Sequence, residues 1–139
     1  TNGKRVGRDG CRVPLPWESN GGTSLGFNTT GKAWIPQPSI YRDYSRDLQR
    51  NDPDSTLELY HRALRLRKEL NLGGGSFAWE PSLVSERSLS YRNGEILVVH
   101  NFSQAPLNLP SGNVLASSQA GLSSGVALEP DQTVWLKPN

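Results

Sequence analysis

Cysteine is almost missing from this sequence. Its 139 residues hold one, Cys11, which excludes an intrachain disulfide and suits a reducing compartment, so the chain is expected in the cytoplasm. No histidine stands near Cys11 in sequence, and a catalytic thiol has no support. No apolar run approaches the ~20 residues of a membrane span, and no signal-peptide pattern opens the chain. The first residue is Thr1 rather than methionine, which reads as a processed or truncated chain. Also missing are H-E-x-x-H, C-x-x-C, a phosphate-binding glycine loop and G-x-S-x-G, so no metal, cofactor, nucleotide or serine-hydrolase chemistry is expected.

Apolar residues are scarce at 35%, while 14 Gly and 10 Pro promise much turn and loop. The length allows one domain with a core, but the first fifty residues are poorest in apolar runs and would struggle to fold alone. Net charge is only +2. Its positive residues bunch at Lys4, Arg5, Arg8 and Arg12, and again at Arg62, Arg65, Arg67 and Lys68. A nucleic-acid surface would add a reader motif or spaced stacking aromatics; neither is present, so no nucleic-acid partner is expected.

What is present is concentrated in Gly7–Trp17, GRDGCRVPLPW. Pro14 and Pro16 fix φ and remove backbone donors, so neither a helix interior nor a central strand can pass through. A rigid, charged loop remains. It serves either as a surface that carries function or as a charged connector anchored by Trp17. Residues 1–54 read as mostly irregular, with a turn or two of helix within Tyr41–Arg50. Trp17, Phe27 and Trp34 argue against disorder, and the segment is expected to drape over a larger body.

Ser55 to Leu72 has the pattern of an amphipathic helix. Ser55 is a good N-cap, Glu58 completes a capping-box pattern, and Gly73 to Gly75 are expected to supply the stop. Leu57, Leu59, Tyr60, Ala63, Leu64, Leu66 and Leu70 sweep about half the circumference, which is wide enough to pack on two bodies. Arg67 falls inside this arc and is expected to be partly buried and structural. His61 lies on the polar face and is expected to be solvated.

From Phe77 the pattern shifts to short strands. Asn93-Gly94 signals a hairpin turn, Ile96-Leu97-Val98-Val99 a central strand covered on both faces, and Leu107–Leu109, Val114–Ala116 and Thr133–Leu136 further strands. Residues 73–139 therefore read as a compact antiparallel β domain. His100, at the end of the central strand, is assigned to packing rather than catalysis.

The Gly7–Trp17 run resembles the GRDG-x-RTPM-x-W segment that follows the eighth barrel strand in α-glucosidases of the α-amylase superfamily, glycoside hydrolase family 13. Val13 and Leu15 depart mildly from it. Gly26-Phe27, Ala33-Trp34-Ile35-Pro36 and Ser55–Leu70 are similar, in order, to the family's later segments. The resemblance implies an α+β fragment: the end of a (β/α)8 barrel, with its long loop and last helix, over 1–72, then a small antiparallel β-sandwich domain over 73–139. It also implies an α-glucoside substrate and an upstream barrel as partner, in a retaining enzyme acting on α-linked gluco-oligosaccharides.

Retaining glycosidases need two carboxyl groups about 5–5.5 Å apart. In this family both lie on earlier barrel strands, so no catalytic residue is assigned here and the isolated chain is expected to be inactive. Arg12 resembles the arginine that holds the non-reducing glucose, a role suited to a guanidinium's fixed fork of donors. Asp9 and Arg8 are further substrate-binding candidates, although an internal ion pair explains them equally well. Trp17 either anchors the loop or lines the pocket. The alternative for the whole chain is a stand-alone β-sandwich carbohydrate-binding or interaction module.

Overall fold

The structure is a computed structural model that describes residues 7–139; Lys4 and Arg5 of the first basic cluster lie outside them. The chain forms two compact units, Thr1–Glu58 and Leu59–Asn139.

The described part of the first unit has no extended apolar core. Leu25 is its one buried hydrophobic residue, accompanied by buried Ser19, Ser24, Ser45 and Ser55. Hydrogen bonds order it instead. Short 3-10 turns at Asp9–Arg12, Gly22–Ser24 and Ser39–Tyr44 alternate with extended links, and α1 is a single turn, Arg46–Gln49. The helical content expected within Tyr41–Arg50 is thus split between a 3-10 turn and α1. Tight chain reversal between Glu18 and Gly26 depends on glycine. A Cβ at Gly21 would lie 2.3 Å from the Gly26 amide nitrogen, and Gly26 itself has φ +73, a conformation L side chains rarely adopt.

Helix α2 runs Thr56–Glu69. The Ser55 hydroxyl accepts the Glu58 N–H at 3.2 Å and donates to the Gln49 carbonyl at 2.8 Å. The Glu58 carboxylate accepts the Asn51 N–H. The N-cap is therefore where the sequence places it, but the capping box is not closed, since the Ser55 N–H donates to the Asp52 carbonyl at 3.0 Å instead of to Glu58.

The C-terminus differs from expectation. Asn71, at φ 48, turns the chain, with Asn71 N–H donating to the Lys68 carbonyl and Leu72 N–H to the Arg67 carbonyl. That is a Schellman arrangement with asparagine in the left-handed position; the glycines follow it. Leu72 is then buried against Ile96 and Val98. Tyr60, Leu64 and Leu70 of the apolar arc are exposed. Arg67 is also exposed, with no carboxylate paired to it among the described residues. The expectation of a partly buried Arg67 does not hold, because the arc to which it belongs is itself exposed at Tyr60, Leu64 and Leu70.

The second unit is built on a five-stranded antiparallel sheet of order β1-β2-β3-β5-β4. The strands are β1 Phe77–Trp79, β2 Ser88–Asn93, β3 Ile96–Asn101, β4 Gly112–Ser117 and β5 Gln132–Pro138. β3 is central, as its unbroken apolar run requires. Leu97 and Val99 join Val134, Leu136 and Leu128 on one face, while Ile96 and Val98 meet Leu72 on the other. Alternation along the strand produces both clusters.

The hairpin forms one residue later than Asn93-Gly94 implies. Asn93 pairs with Ile96, so Gly94 and Glu95 are the central residues. Only Gly94 has positive φ, at 59, which is the pattern of a type II′ turn. Leu107–Asn108–Leu109 yields a single bridge, Leu107 to Leu128, because flanking Pro106 and Pro110 cannot donate to a ladder. Leu107 and Leu109 pack, with Leu128, on the Leu97–Leu136 face of the sheet.

Candidate functional site

Every residue from Arg8 to Arg12 is exposed. The Cys11 N–H donates to the Arg8 carbonyl at 3.1 Å, closing the 3-10 turn. One turn of helix separates Asp9 from Arg12, and their charged groups face each other at 3.9 Å. With side chains 65% and 78% exposed for Arg12 and Asp9, this contact is a weak, solvated pair that leaves the Arg12 guanidinium free to reach a ligand. The structure thus places Arg8, Asp9 and Arg12 on one short turn and brings two of the three together.

After Arg12 the chain stiffens. Val13 is extended at φ −60, ψ 132, and prolines at 14 and 16 fix φ. The Gln37 side-chain amide donates to the Pro14 carbonyl at 3.1 Å. The N–H groups of Trp17 and Glu18 converge on the Leu25 carbonyl at 2.8 and 3.0 Å, while Arg46 and Asp47 donate to the Pro16 and Trp17 carbonyls, both at 3.1 Å. Trp17 is anchored through its backbone, and its half-exposed ring lies beneath the Arg46 guanidinium, 6.0 Å from the centroid. Trp17, Glu18, Arg46, Asp47 and Arg50 line a shallow polar depression.

Asp47 is the feature that sequence reasoning missed. Its carboxylate accepts the Ser19 N–H at 3.0 and 2.9 Å, the Ser19 hydroxyl at 2.8 Å and the Leu48 N–H at 3.0 Å, and the Ser45 hydroxyl also donates to it. These donors, the Ser45 hydroxyl foremost and then the Ser19 N–H, lower its pKa to about 2, since each favours the charged form. Ser45-x-Asp47 at the start of a helical turn was the available signal, but nothing local points to Ser19.

In the second unit, His100 is half-buried, with Nδ1 2.8 Å from the Thr133 hydroxyl. It stacks on Phe102 at 5.8 Å. Phe77, Trp79 and Tyr91 continue an aromatic row through ring contacts of 5.0 to 6.4 Å. This is packing, as the position of His100 at the strand end implies. Among the described residues no group of three histidines, cysteines and carboxylates could hold a metal ion, and no helix is long and apolar enough to cross a membrane.

Comparison with known proteins places this geometry. The catalytic-domain family of the α-amylases matches residues 1–73, from before the Arg8–Arg12 turn to just past α2. The chain belongs to the α-amylase family. An α-glucosidase of Schizosaccharomyces pombe is 33% identical across 94% of this chain and 25% of its own. An amino acid transporter heavy chain of Rattus norvegicus is 31% identical across 68% of this chain and 14% of its own. The trehalose-6-phosphate hydrolase of Bacillus licheniformis superimposes with a TM-score of 0.71 at 26% identity, covering 96% of this chain and 26% of that one. The chain thus spans about a quarter of the length of such α-amylase family relatives as the yeast α-glucosidase and the bacterial hydrolase.

Proposed function

We propose that this chain is the C-terminal part of a retaining α-glucosidase that removes terminal α-linked glucose from short gluco-oligosaccharides. Residues 1–72 would complete its catalytic barrel, and residues 73–139 would form the β domain behind it. The catalytic carboxyl pair belongs to the upstream barrel, and the isolated chain is inactive. Arg12 binds the non-reducing glucose, with Asp9 and Arg8 beside it. The enzyme works in the cytoplasm, where an exposed thiol such as Cys11 stays reduced.

The observation that carries this reading is the presentation of Arg12. It stands on an exposed turn inside the family-matched segment, loosely paired, at the head of a proline-stiffened and hydrogen-bonded stretch. Hydrogen bonds to a charged group contribute about 1.5–3 kcal/mol each, so losing the guanidinium fork has a large cost. In the full-length enzyme, Arg12→Ala is expected to lower kcat/KM on an α-glucoside about a hundredfold, with the fold intact by circular dichroism. Near-normal turnover would remove Arg12 from the site.

A second reading is a stand-alone carbohydrate-binding or interaction module without catalysis. The likeness to a transporter heavy chain and the aromatic row, in which Phe77, Trp79 and Phe102 are exposed, favour it. Tight maltose binding by the isolated chain would turn the balance that way.

A further inference from the structure

We propose that Asp47 is a positioning residue, which sets the place of Arg12 by clamping the chain that follows it. This inference rests on the reading of Arg12 as the sugar-binding arginine.

The clamp is long-range and specific. Asp47 lies 28 residues beyond Ser19, yet its carboxylate takes both the N–H and the hydroxyl of Ser19. The same turn of α1 holds the Pro16 and Trp17 carbonyls through the Arg46 and Asp47 N–H groups. With Gln37 on the Pro14 carbonyl and Leu25 on the Trp17 and Glu18 amides, Pro14 and Pro16–Ser19 are each bonded to a distant part of the first unit.

Only Val13 separates Arg12 from this stretch. It is extended, and Pro14 and Pro16 on either side of Leu15 leave little torsional slack. Displacement at Ser19 is therefore passed along a stiff arm to the Arg12 backbone. The guanidinium has only its 3.9 Å contact with Asp9 to steady it locally, so the clamp fixes the base from which it reaches.

Carboxylate chemistry is essential to the clamp. Every group hydrogen-bonded to the two oxygens is a donor, and the four donors hold the carboxyl pKa at about 2, so the group stays charged near neutral pH. An asparagine would turn its NH2 towards the Ser19 or Ser45 donors, and one side of the clamp would open.

A double-mutant cycle in the full-length enzyme, read on a chromogenic α-glucoside, tests this. Asp47→Asn is expected to raise KM about tenfold with kcat within about twofold, because a slightly misplaced arginine loses binding common to ground and transition states. In the Arg12→Ala background, Asp47→Asn is expected to change kcat/KM by less than about twofold, since its effect runs through Arg12. Ser19→Ala, which deletes one donor and keeps the backbone bonds, is expected to shift KM the same way by about threefold, and replaces Asp47→Asn in the cycle if that variant does not fold. A wild-type KM in Asp47→Asn, or losses that multiply in the double variant, would overturn the proposal while leaving Arg12 in its role. Near-normal activity of Arg12→Ala alone would remove the reading beneath it.

Discussion

The imidazole of His100 is held half-buried between Tyr91 and Phe102, with Thr133 at Nδ1. Burial lowers its pKa from the ordinary 6.5, because the charged form is deprived of water. The unfolded chain then binds the proton more readily than the folded one. Stability from this group is complete above about pH 6.5 and declines as pH falls through that value. The urea midpoint for loss of the sheet should therefore drop between pH 7.5 and 5.5, and drop less in His100→Gln. An equal drop in both proteins would assign the effect elsewhere. Asp47 moves in the same direction for a different reason, because its hydrogen-bond donors favour the charged form. Its depressed pKa makes its contribution present above the ordinary 3.8 and lost as pH falls towards about 2, outside the window in which His100 acts.

At the scale of elements, α2 illustrates how much a sequence reveals. Its start was legible because the Ser55 hydroxyl and the Glu58 N–H that it accepts lie within one turn, and short-range chemistry decides it. Ser55→Ala removes both the bond to the Glu58 N–H and the one to the Gln49 carbonyl. It is expected to cost about 1 kcal/mol, seen as a lower denaturation midpoint at unchanged slope; no change would mean that the Gln49 side chain on the Leu57 N–H suffices as a cap. The end of α2 was misread because asparagine adopts the left-handed conformation nearly as usefully as glycine, and three glycines stood conspicuously after it.

β3 was legible because four consecutive apolar residues need cover on both faces. The hairpin register was not, since Gly94 can serve as either the first or the second central residue, and cross-strand packing selects between them. For the candidate site, Arg8, Asp9 and Arg12 were nominated by the resemblance of their segment to the family's, and the residues alone read as an irregular loop rather than the 3-10 turn they form. Asp47 was legible only in part: Ser45 and Leu48 are its neighbours in sequence, but Ser19, which makes the contact long-range, lies 28 residues away.

On the scale of the whole molecule, the distribution of exposed apolar side chains is the main fact. Trp34 is 98% exposed, and Leu15, Ile40, Tyr44 and Leu48 of the first unit join it, along with Tyr60 and Leu64 on α2. Large exposed apolar side chains in each unit are what interaction surfaces offer, and with Leu25 as the one buried hydrophobic among its described residues the first unit is ordered by hydrogen bonds rather than by a core. Together with a chain that spans about a quarter of the yeast α-glucosidase's length, this is what the end of a barrel would present without the rest of it. The central claim is that these residues work as part of a larger α-glucosidase. The most direct test is the intact mass of the native polypeptide in its source cells, captured with an antibody raised against this chain. A species larger by roughly 250 residues or more, the size of a barrel, is the expected result. A stable native species of 15.3 kDa would contradict the account and leave the binding module as the better description.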